Sequence, residues 1–126
     1  MPITYTIDKQ RRFIQRVLSE TVTTDEILAN ITEILDHPDY QLGMKSLTDL
    51  QALQHHATPQ DVRQIAHFIL GHGEQVQGGR AAVVVAEDVG FGMARMLELL
   101  TEDSPLAIGV FKNRKEAYDW LGIETD

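Results

Sequence analysis

Residues 81–86 read Ala-Ala-Val-Val-Val-Ala, an unbroken apolar run set between two segments with helical spacing. No other stretch constrains the fold as much. The run is too short to be a buried helix and has the length and β-branched content of a strand. A strand that is apolar at every position, rather than at every second one, is covered on both faces. Helices must then lie above and below one sheet, which places the chain in the α/β class.

The flanking segments fill in that plan. Tyr5 and Ile7 alternate with Thr4, Thr6 and Asp8, as in a short strand, and Lys9-Gln10-Arg11 makes a polar turn. Arg12 to Leu18 follows as a second strand, so the first two strands form a hairpin. Thr23 with Glu26 is a capping pair that opens a helix. Its apolar stripe is Ile27, Leu28, Ile31, Ile34 and Leu35, and Pro38 closes it. Gly43 to Leu50 is a third strand. Thr58 caps a second helix with Pro59 in its first turn, and Val62, Ile65, Ala66, Ile69 and Leu70 face inward. Gly71, Gly73, Gly78 and Gly79 mark a loop before the strand at 81–86. Asp88 then caps a third helix through Leu100. Leu106 to Phe111 is the last strand, and Asn113 with Glu116 starts a short final helix ending near Trp120, Leu121 and Gly122. The predicted order is ββαβαβαβα, a five-stranded mixed and mostly parallel sheet with helices on both faces. No repeat or linker interrupts residues 1–126, so a single domain is expected.

Composition narrows the functional classes. Asp and Glu outnumber Lys and Arg by 19 to 11, and both halves of the chain are acidic. No basic stretch is present to neutralise a run of phosphates, which disfavours nucleic acid and anionic membrane surfaces as partners. There is no cysteine. Disulfides, thiolate metal sites and Cys nucleophiles are thereby excluded. The N-terminus lacks a charged segment followed by an apolar one, and no apolar run approaches the roughly 20 residues of a membrane span. A cytoplasmic protein without integral membrane association is the expectation.

Three pieces of the sequence carry a family resemblance. They are the opening Ile3-Thr4-Tyr5, the Val83-Val84-Val85 strand leading into Phe91-Gly92-Met93-Ala94-Arg95-Met96, and the closing Val110-Phe111 with Glu116-Ala117 and Trp120-Leu121. Together they resemble the SpoIIAA-like domains of STAS/SEC14 type, a group that includes uncharacterised bacterial proteins. The resemblance spans nearly the whole chain and implies the SpoIIAA-like fold and a non-enzymatic binding or regulatory role. STAS regulators of sigma factors carry an Asp-Ser-Ser/Thr-Gly turn with a phosphorylated Ser. Here that stretch reads His55-His56-Ala57-Thr58-Pro59, where Thr58 is the sole hydroxyl and its cap accounts for it.

Candidate sites follow from the third helix. Phe91, Met93 and Met96 offer apolar contact, and Arg95 offers charge pairing to a carboxylate or phosphate. Phe91, Met93, Met96 and Leu100 cannot share one face of a helix, so part of this surface should stay outside the core. His56 and Thr58, in the loop at 54–58, lie near the same end of the sheet. The expected occupant is a protein partner or a small amphiphilic ligand, and exposed Met and Phe would also suit a two-fold homodimer. A SEC14-like carrier of lipid or another hydrophobic ligand is the first alternative. So small a domain has little room for a deep cavity, so a groove is expected. An enzyme of unknown class is the second. The five histidines lack the spacing of a metal site. Asp49, Glu87 and Asp88, expected near the C-terminal ends of strands, have no nucleophile or phosphate loop beside them. No cofactor, metal or catalytic residue is assigned.

Overall fold

The structure, a computed structural model, describes residues 2–124. Strands β1 (Ile3–Asp8) and β2 (Phe13–Glu20) form the antiparallel hairpin. Helix α1 (Thr24–Leu35) leads to β3 (Lys45–Leu53), α2 (Pro59–Gly71) and a one-turn helix α3 (Gly73–Val76). Strand β4 (Arg80–Val84), helix α4 (Asp88–Leu100), strand β5 (Ala107–Phe111) and helix α5 (Arg114–Leu121) complete the order. The sheet runs β1-β2-β3-β4-β5, and every pair after the hairpin is parallel. The fold is thus the mixed α/β arrangement read from the sequence, with α3 added inside the glycine-rich loop.

Capping residues set the helix starts. Thr23 and Glu26 bond reciprocally across the start of α1, and Thr58 and Asp61 do the same for α2. Each side-chain oxygen takes an amide that the helix itself leaves unpaired. Helix α4 differs from the expectation. Its cap residue is Glu87, which makes no side-chain cap bond, and Asp88 sits one position inside, paired with Lys112. The third strand also runs three residues beyond Leu50. The edge of that reading failed because Gln51 and Ala52 are exposed and carry no inward apolar pattern.

Residues alternate across each strand, so the two faces of the sheet bury different sets. One face meets only α5. Phe13, Leu47, Ala82 and Val84 pack there against Ala117 and Leu121. Gln15 donates to Tyr118 Oη at 2.9 Å, and Asp49 accepts from Arg114 Nε at 2.9 Å. Asp49 therefore lies inside β3, level with the last residues of β4 and β5 as expected, and is held by α5. The other face is spanned by α1, α2 and α4.

Candidate functional site: a cavity between the sheet and three helices

The register explains why the two faces pack differently. On the three-helix side, one row across the sheet is Ile14, Ser46, Ala81 and Ile108, and the next contains Arg16, Thr48 and Val83. The middle of this surface is made of small side chains. The helices that cover it stand on its flanks through larger ones: Ile27 and Ile31 of α1, Val62 and Ile65 of α2, Met93 and Leu97 of α4. Helices pack about 8–10 Å apart, so three of them over a shallow surface leave space beneath. A cavity of about 290 Å³ results, lined on its floor by β2–β5 and on its walls by the three helices. This volume lies at the lower limit of ligand pockets, which run from roughly 300 Å³ upward. The floor is reached from outside: Ala81 and Val83, on an interior strand, are only half-buried, as is Ile31 in the wall.

Most of the lining is aliphatic, and the polar groups divide into a rim and a floor. At the rim stand His55, His56, Asp61 and Glu87. His56 Nε2 is 3.6 Å from Glu87. Asp61 accepts from the Thr58 amide at 3.0 Å, and this bond holds its carboxyl below the usual carboxylate range. Gly90 brings the start of α4 down onto the sheet. A methyl group at Gly90 would lie 2.6 Å from Val85 Cγ1 and 3.3 Å from His56 Nδ1. Only a residue without Cβ allows that approach.

Arg16 lines the floor. Its Nε donates to Asn30 Oδ1 at 2.9 Å and its Nη1 to Thr48 Oγ1 at 3.2 Å. Nη2 is shielded from solvent and has no hydrogen-bond partner among the described residues. No carboxylate pairs with Arg16 among those residues. Burial of the guanidinium draws its pKa down to about 10, so it remains charged at neutral pH.

The residues singled out from the sequence are dispersed by the structure. Met93 lines the cavity and His56 its rim. Phe91 is half-buried beneath Lys112, whose Nζ is 4.9 Å from the ring centroid. Arg95 is exposed and bonds Glu98, one turn along, at 3.0 Å. Met96 is half-buried, and Thr58 is engaged as the α2 cap. The large apolar side chains that α4 leaves in solvent are Val89, Leu99 and Leu100. Arg16 was not among the residues picked from the sequence. The signal for it was present: Ile14, Arg16 and Leu18 share one face of β2 at period two.

No group of three or more His, Asp or Glu side chains is arranged to hold a metal ion among the described residues. No helix there is long and apolar enough to cross a membrane.

No protein-family model matches the chain, and no curated protein matches it. Among solved structures, the chain is similar to an uncharacterized protein of the DUF3478 family with a SpoIIAA-like fold, from Shewanella loihica PV-4. The two superpose with a TM-score of 0.61 at 16% identity, over 94% of this chain and 93% of the other. The fold is therefore SpoIIAA-like, as the sequence resemblance implied.

Proposed function

We propose that this chain is a non-enzymatic binding module whose inter-layer cavity takes one small amphiphile. The observation that carries the reading is the half-buried floor at Ala81 and Val83 beneath three helices. An interior strand of a parallel sheet is normally covered on both sides. Here the covering layer leaves an apolar volume that an alkyl chain of roughly ten carbons fills, at about 30 Å³ for each water-sized unit. Met93, in the wall, adapts its shape to the occupant. His56 and Glu87, at the rim, mark the entrance.

This reading favours a carried small molecule over a docked protein. Decan-1-ol, a neutral probe of suitable size, tests it. Titration into the full-length protein, followed through methyl resonances, should shift Ile31, Val83 and Met93 in a saturable way. The Ala81→Phe variant should fold and lose the response. Absence of any shift in the cavity methyls would overturn the reading, and a protein partner bound at the outer face of α4 would then be the better account.

A further inference from the structure

The polar group on the cavity floor indicates what kind of head group the occupant carries. We infer that the cavity is built for an anionic amphiphile, whose single oxyanion is held by Arg16 while its apolar body lies among the aliphatic walls. This inference rests on the binding role proposed above and deepens it.

A cation removed from water is unfavourable unless a countercharge and hydrogen bonds replace its hydration. Two of the Arg16 nitrogens are satisfied by neutral oxygens, on Asn30 and Thr48. The third, Nη2, is out of solvent and has no partner among the described residues. Of the two carboxylates that line the cavity, Asp61 is held at the α2 cap and Glu87 stands in solvent at the rim. A net acidic chain, with 19 Asp and Glu against 11 Lys and Arg, has nonetheless kept this half-buried cation away from them. The neighbours on the floor, Ser46, Thr48, Ala81 and Val83, bring no charge of their own. The missing partner is thus an external anion.

Geometry supports the same conclusion. Asn30 and Thr48 hold the guanidinium plane from α1 and β3 respectively, so it is fixed before any ligand arrives. A preset guanidinium loses little rotamer freedom on pairing and offers a planar edge to an oxyanion. Carboxylate and phosphate monoester heads share this chemistry. The limited volume restricts the body to a chain of medium length.

The test compares decanoate, decyl phosphate and decan-1-ol on the full-length protein by isothermal titration calorimetry. At least one of the anions should bind about ten- to hundred-fold more tightly than the alcohol, the range for a hydrogen bond to a charged group. Whichever of the two binds more tightly identifies the oxyanion. In Arg16→Met that preference should vanish while decan-1-ol binding persists, and Arg16→Lys should restore part of it. Equal affinity for alcohol and anions in the parent protein would overturn the inference and leave the cavity reading standing. Failure of all three ligands to bind would overturn both. The parent-protein comparison decides the matter even where Arg16→Met does not fold.

Discussion

The two faces of one sheet differ in how they are closed. Under α5, the floor residues Leu47, Ala82 and Val84 have no exposed surface, and neither has Ala117 above them. Under α1, α2 and α4, their strand neighbours Ala81 and Val83 remain half-buried. Both faces carry small residues at mid-sheet. On the α5 side those small residues admit one helix directly onto the strands. Gly109 is so tightly enclosed that a methyl there would lie 3.0 Å from the Phe111 ring and 3.1 Å from Trp120. On the opposite side three helices share the span and none comes down over the centre. Charge is treated differently as well. Asp49 on the sealed face has Arg114 as its partner, whereas Arg16 on the open face has only neutral acceptors among the described residues. One layer closes completely on its floor, and the other stands off its floor above a cation that has no countercharge among the described residues.

Matched substitutions on the two faces test this contrast. The largest difference is expected from truncating leucines of β3. Leu47→Ala, on the sealed face, should cost about 2–5 kcal/mol, because the cavity it opens cannot relax. Leu50→Ala, on the open face, should cost about 1 kcal/mol, since less area leaves contact. Urea unfolding of both variants measures the gap, and equal losses would erase the distinction between the faces.

Enlarging adjacent alanines comes next. Ala82→Leu should destabilise by about 1–3 kcal/mol through overpacking. Ala81→Leu fills open volume and should be neutral or raise stability by roughly 0.5–1 kcal/mol. The charged residues should separate in the same sense. Arg114→Met strands the buried Asp49 carboxylate and should cost about 1–3 kcal/mol. Arg16→Met removes a cation that has no countercharge and should leave ligand-free stability within about 1 kcal/mol of the parent. Thermal unfolding of the four variants orders them.

The smallest effect concerns pH and the helices that roof the cavity. Glu26 and Asp61 are held below their usual range, first of all by the backbone amides of Thr23 and Thr58. Their folded pKa is depressed, so the stabilisation is present above the unfolded value and is lost as pH falls through the folded one. A modest decline in unfolding temperature is therefore expected as pH drops below about 4. Replacing both carboxyl groups, in Glu26→Gln with Asp61→Asn, should flatten the part of the decline that these carboxylates supply. An unaltered acid slope in the double variant would dismiss the caps as its source.

Much of the architecture was legible because local chemistry marks it. Thr23 with Glu26, Thr58 with Pro59, and Asn113 with Glu116 announce helix starts by the bonds they later make. The apolar run at 81–86 announced an interior strand. The exchange of Asp88 for Glu87 at the α4 cap was not legible, because Lys112 draws Asp88 into an ion pair across 24 positions of sequence. The cavity was even less so. Its volume depends on which small residues fall side by side in register, such as Ser46 and Ala81, and on where three helices rest. Arg16 was hidden by its own strand, where Phe13-Ile14 and Val17-Leu18 place apolar residues on both faces and blur the alternation. Met93 and His56 were found through their segments, although the space that relates them was not.

The central claim is that a ligand enters between the sheet and the three-helix layer and leaves the α5 face untouched. Intermolecular nuclear Overhauser effects between decanoate and methyl-labelled protein address it most directly. Contacts from the acyl chain to Ile31, Val83 and Met93, with none to Ala82, Val84 or Ala117, are predicted. Contacts spread over both faces, or confined to the exposed Leu99 and Leu100 of α4, would contradict it.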